Sequence, residues 1–185
     1  MLAIAFGFLE LPRAALASEV EFRRPVTLAA AVGARIFNSQ LDLETGGALG
    51  LRLGLGVSEH VQVAFDYILS VAIREATNQN AGVHAMRGLL RYDLLAGDTR
   101  PYAIAGIGGL YFDFGDAPDY STGALTLGFG VSRRLGSRTH VTLEGSTDLY
   151  QNQVVTYGPT GEELSRSPRT TEGLGAVTLG VGMEF

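Results

Sequence analysis

"HVTLEGSTD", residues 140 to 148, sets His140, Thr142, Glu144, Ser146 and Asp148 at alternate positions, an imidazole, two hydroxyls and two carboxylates in one row. A hydrolase needs such groups within hydrogen-bond reach of one another. On an extended strand, positions i and i+2 stand roughly 6.5–7 Å apart, so this row predicts no catalytic triad. Asp113, Asp116 and Asp119 in "DFGDAPDY" offer carboxylate oxygens to a divalent cation. They lack the ligand density and distal glutamate of a calcium loop and read as an acidic, solvated link. His60, His84 and His140 fall on different segments, which gives no histidine metal site. His60 lies in a short turn and reads as solvated. "GIGG" (106 to 109) precedes no amphipathic helix and carries no phosphate-binding meaning. No cofactor and no catalytic residue is expected.

Composition narrows the chemistry further. Cysteine is absent, which removes disulfides, thiolate nucleophiles and cysteine-ligated metals. All 14 basic residues are Arg, so there is no Schiff-base lysine and no P-loop lysine. A net charge of −5 without a basic run leaves nucleic acid without a footprint. No apolar run reaches the roughly 18 to 20 residues of a membrane-spanning helix. "LAIAFGFL" (2 to 9) has the length of an export-signal core, and "ALA" (15 to 17) fits signal-peptidase cleavage before Ser18. Residues 1–17 are expected to be a removed leader and 18–185 a single domain.

The elements that must position the polar residues are strands, because from Pro25 onward the pattern has period two. In "GALGLRLGLGV" Leu49, Leu51, Leu53, Leu55 and Val57 share one face, and Ala48, Gly50, Arg52, Gly54 and Gly56 the other. The beat recurs in 26–37, 61–69, 88–94, 101–112, 123–131, 140–150 and the C-terminal stretch, eight strands in all. Tight links (58–60, 96–100, 136–138) alternate with longer polar ones (38–46, 74–81, 113–120, 152–169), as in an up-and-down meander. Eight antiparallel strands close into a barrel without exposed edges.

Two barrels of opposite sense fit this pattern. A soluble lipocalin-like barrel lines its interior with Leu and Val, whereas a membrane barrel turns them toward lipid. The second face holds Gly33, Gly50, Gly54, Gly56, Gly128, Gly130, Gly180 and Gly182 beside Ala29, Ala31, Ala48 and Ala64. A water-facing strand surface has no use for glycine, while a cramped lumen needs small residues to accommodate a few large ones. The large ones are Arg35, Arg52, Arg87, Arg91 and Arg134 against Asp66, Asp93, Glu144, Asp148 and Glu184, five of each sign. They are expected to form structural ion pairs in the lumen, since an unpaired buried charge costs several kcal/mol. Tyr92, Tyr102 and Phe185 are placed on the lipid-facing register near the short-link end, with Phe37, Phe112 and Tyr67 at the other rim. His84 also takes the lipid-facing register, near the long-link end, within reach of lipopolysaccharide headgroups.

The strands, the alternating links, "LLRYDLL", "RPYAIAGIGG" and the closing "TLGVGMEF" resemble the small eight-stranded outer-membrane barrels, the group of the OmpX- and Ail-like proteins and the OmpA transmembrane domain. The resemblance runs over nearly all of residues 25–185. It implies an all-β, antiparallel transmembrane barrel in the outer membrane of a Gram-negative bacterium, embedded as a monomer among outer-membrane lipid and lipopolysaccharide. It also implies that Phe185, with Met183, Val181 and Leu179 behind it, is the signal read by the barrel-assembly machinery. The leading function is a non-enzymatic anchor for four surface loops, serving envelope structure, adhesion or host interaction. A lipid-modifying enzyme, a narrow pore and the soluble ligand-binding barrel are the alternatives.

Overall fold

The computed structural model describes residues 24–37, 41, 43–75, 77–114, 120–152, 155–157, 163–166 and 169–185. The expected leader, Asp116 and Asp119 lie outside these. Ten strands follow in order: β1 (Val26–Ile36), β2 (Gly46–Gly56), β3 (Val61–Ile73), β4 (Asn80–Asp93), β5 (Thr99–Asp113), β6 (Tyr120–Arg134), β7 (Thr139–Asn152), β8 (Val155–Tyr157), β9 (Glu163–Arg166) and β10 (Thr170–Glu184). Eight of them close a barrel in the order β1-β10-β7-β6-β5-β4-β3-β2. Every neighbouring pair is antiparallel. The remaining two, β8 and β9, pair with each other, a hairpin inside the segment that the sequence presents as one long polar link.

Closure is made by β1 and β10, from Thr27 opposite Glu184 to Ile36 opposite Gly175. The amide of Phe185 donates to the Val26 carbonyl at 2.9 Å, so the ladder runs to the last residue. Short links join β2 to β3, β4 to β5 and β6 to β7, and both barrel ends of the chain lie on that side. The link between β3 and β4 is tighter than its polar sequence suggests. Arg74 and Gln79 pair across it (2.9 Å), and Asn78, at φ 54°, adopts the left-handed conformation that an asparagine tolerates.

Side chains follow the pleat. On β2 the buried and half-buried positions are the even ones, Gly46 to Gly56, while Leu49, Leu51, Leu53 and Leu55 stand exposed outside. The glycine-bearing face is therefore the inner one, as in the membrane sense of the barrel. Close approach explains one of these glycines directly. A Cβ on Gly130 would come within 2.6 Å of the Tyr102 ring and hydroxyl.

The aromatic placement needs correction at three residues. Tyr102 points into the lumen, with 1% of its surface exposed, and so do Phe37 and Phe112. Phe37 shares the parity of Arg35, and Tyr102 and Phe112 share that of Arg100, so the guanidinium that faces inward carries the ring with it. Tyr67, Tyr92 and Phe185 do face outward.

Candidate functional site

The lumen is layered, and its layers differ in chemistry. Its middle holds an unbroken series of alternating charges, Arg35, Asp148, Arg87, Asp66, Arg52 and Glu144. Three cations meet three anions, so the buried cluster is neutral. Arg52 from β2 grips Glu144 of β7 through both terminal nitrogens, at 2.7 and 2.9 Å, and reaches Asp66 at 3.1 Å. Two-pronged contact of this kind needs the planar guanidinium fork, which lysine lacks. Arg87 of β4 bonds Asp66 on the adjacent strand and, at 3.1 Å, Asp148 of β7. Arg35 of β1 bonds Asp148. Thr126 donates to Asp148 at 2.7 Å and Tyr102 to Glu144 at 3.0 Å, which fills carboxylate lone pairs that water would otherwise satisfy. Most of these bonds cross the lumen between strands that are not neighbours in the sheet.

Below this layer, toward the short links, Arg91 bonds Asp93 at 2.7 Å and lies 3.8 Å above the Tyr102 ring. Arg100 stands 3.7 Å from the same Asp93, and Arg134 3.6 Å from Glu184. A cavity of about 600 Å³ opens there, lined by these groups, Gln62 and His140. Arg100 and Glu172 are lumen charges that the sequence analysis omits, because each stands at the edge of a link. All ten charges placed inside by the sequence are thus brought into pairs, in one six-membered series and two smaller groups rather than five couples.

Above the charged layer the lumen is apolar, which the glycine-and-charge pattern does not predict. Phe37, Leu43, Ile68, Val83, Leu110, Phe112, Tyr150 and Leu174 pack there as one buried cluster, with Phe114 and Tyr120 against it. Phe112 is the hub, its ring 5.8–6.0 Å from those of Phe114, Tyr120 and Tyr150. Tyr150 also donates to Glu172 at 2.8 Å, and Asn152 to the same carboxylate at 3.0 Å. The described side chains pack densely in this half, and the cavity lies on the short-link side of them.

The alternating row of β7 does face the lumen, but its carboxylates are occupied. Glu144 is held by Arg52 and Tyr102, and Asp148 by Arg35, Arg87 and Thr126. Neither is placed to orient His140, whose buried Nδ1 has no hydrogen-bond partner. His60 is not simply solvated. Its Nδ1 lies 2.9 Å from the Asp93 carbonyl and its ring stacks on Tyr92. Among the described residues no group of His, Asp or Glu is arranged to hold a metal ion.

The outer surface completes the geometry. Along the described barrel strands the outward positions carry two charged residues, Arg133 at the short-link end and Asp113 at the long-link end. Between them lies a belt mainly of Leu, Val, Ile, Met, Ala and Gly with outward aromatics, interrupted by Thr147 and His84. Water does not tolerate so large an apolar surface on a monomer, and hydrocarbon requires it. The chain has the fold of the small eight-stranded outer-membrane barrels. Neisserial surface protein A matches with a TM-score of 0.56 and 15% identity, over 88% of this chain and 97% of that one. The outer membrane protein OprG of Pseudomonas aeruginosa gives 0.59 and 11%, over 88% and 95%. The N-terminal β-barrel domain of Pseudomonas aeruginosa OprF gives 0.54 and 13%, over 88% and 100%. The sequence itself matches no protein-family model and no curated protein.

Proposed function

We propose that this protein is an integral, non-enzymatic barrel of a Gram-negative outer membrane, whose rigid wall holds its four longer links at the cell surface. The uncharged aliphatic belt carries the reading. A wall of this chemistry partitions into lipid, and the neutral ion-paired lumen and apolar upper layer keep the barrel rigid without a water channel. On this reading residues 1–17 are an export leader and the barrel acts as a monomer among outer-membrane lipid and lipopolysaccharide. Phe185, Met183, Val181 and Leu179 then present the outward, C-terminal face that the barrel-assembly machinery engages. Cell fractionation followed by electrophoresis with and without boiling tests it. The unboiled outer-membrane fraction is expected to give a band of distinct mobility that shifts on boiling. A chain found in the soluble periplasmic fraction would overturn the assignment.

A further inference from the structure

The outward strand positions carry one cation, Arg133 of β6 at the border of the apolar belt, and we propose that it holds an anionic phospholipid of the leaflet on the short-link side. This rests on the outer-membrane reading above. Arg133 and Arg134 are adjacent, and the pleat sends them apart. Arg134 turns to Glu184 at 3.6 Å, while Arg133 takes the parity of Phe129 and Val131 and stands exposed outside. Its neighbours across the ladders are Thr99 of β5 and Val141 of β7. Leu135, the next residue of its parity, is exposed as well. Among the described residues no ion pair and no side-chain hydrogen bond reaches Arg133. An unpaired guanidinium amid outward aliphatic side chains must take its counter-charge from the medium, which at this depth is the layer of lipid phosphates.

The wall above Arg133 has room for the rest of the lipid. The outward residues of β5 there are Thr99, Pro101 and Ala103, all short. Ala103 stands opposite Tyr92 of β4 on one side and Phe129 of β6 on the other. Two rings roughly 10 Å apart by strand spacing thus flank a furrow floored by a methyl group. The imidazole of His60 stacks on Tyr92, and Phe129 is 75% exposed. Phe129 lies four residues along β6 from Arg133, about 13 Å by strand rise, so one lipid can lay its acyl chain between the rings and its phosphate at the guanidinium. A second copy fits less well. In the same orientation its outward strands offer an acid, Asp113, only at the opposite rim, and Glu59 and Asp98 of its short links line its own cavity. A zwitterionic lipid brings its own cation and leaves the charge of Arg133 uncancelled.

Native mass spectrometry of the folded mature chain, released from mixed micelles holding equal amounts of dioleoylphosphatidylglycerol and dioleoylphosphatidylcholine, tests the site. The phosphatidylglycerol adduct is expected to exceed the phosphatidylcholine adduct about fivefold, the scale of one arginine at an anionic surface. Arg133→Gln is expected to make the two adducts equal, and Ala103→Leu, which fills the furrow, to lower both. Arg138→Gln removes the same charge at the mouth of the cavity and is expected to leave the preference intact. Equal adducts in the unaltered protein, a preference that survives Arg133→Gln or is lost equally in Arg138→Gln, or adducts unchanged by Ala103→Leu would overturn the site. A dimer that Arg133→Gln dissolves would overturn it too. Reconstitution of the same preparations into liposomes separates the two readings. Failure to insert sinks the outer-membrane assignment, whereas insertion without the preference sinks the lipid site alone.

Discussion

Arg87 and Arg91 are both lumen arginines four residues apart on β4, and their surroundings make them unequal. Arg87 is 1% exposed and binds two carboxylates, Asp66 and Asp148. Removing it leaves anions in a water-poor layer, so Arg87→Met is expected to cost about 3–5 kcal/mol. Arg91 faces the open cavity and pairs with Asp93, which retains Arg100 when Arg91 is removed. Arg91→Met is expected to cost about 1 kcal/mol or less. Equilibrium urea unfolding in lipid vesicles measures both, and equal losses would show that the middle layer is hydrated. That these charges lie inside was legible, because parity ties Arg52 to Gly50 and Gly54. Which carboxylate each guanidinium meets was not, since partners such as Arg52 and Glu144 lie on strands that only barrel closure brings across from one another.

At the scale of the strand, inward and outward faces were legible wherever leucine alternated with glycine or charge, as on β2. They were obscure on β5, where "PYAIAGIGGLYF" is apolar on both faces and the aromatic rings give no sign of their side. Arg100, two residues before Tyr102, held the missing signal. The apolar layer around Phe112 escaped for the same reason, because it draws rings from β5, β6 and β7 that are far apart in sequence. Outward strand positions also differ from inward ones in what they accept. Leu53→Arg, at the middle of the belt, is expected to destabilise the barrel in a bilayer by about 2–4 kcal/mol. Unchanged stability in vesicles would place that face in water.

The described barrel is apolar outside, charged in its middle, packed with apolar side chains toward the long links and hollowed by a cavity toward the short ones. Length, alternation and link spacing pointed to the closed antiparallel sheet, whereas the apolar upper layer emerged from packing. The claim on which the rest depends is that the leucine face lies in hydrocarbon. The chain lacks cysteine, so a nitroxide on a single introduced cysteine reports from one position. Labels at Leu49, Leu51 and Leu53, and at lumen-facing Ala48 and Gly50, should be compared in liposomes for collision with oxygen and with an aqueous nickel chelate. The three leucine sites are expected to favour oxygen and exclude nickel, in alternation with the two lumen sites. Nickel access at Leu49, Leu51 and Leu53 equal to that of a label in solution would contradict the account.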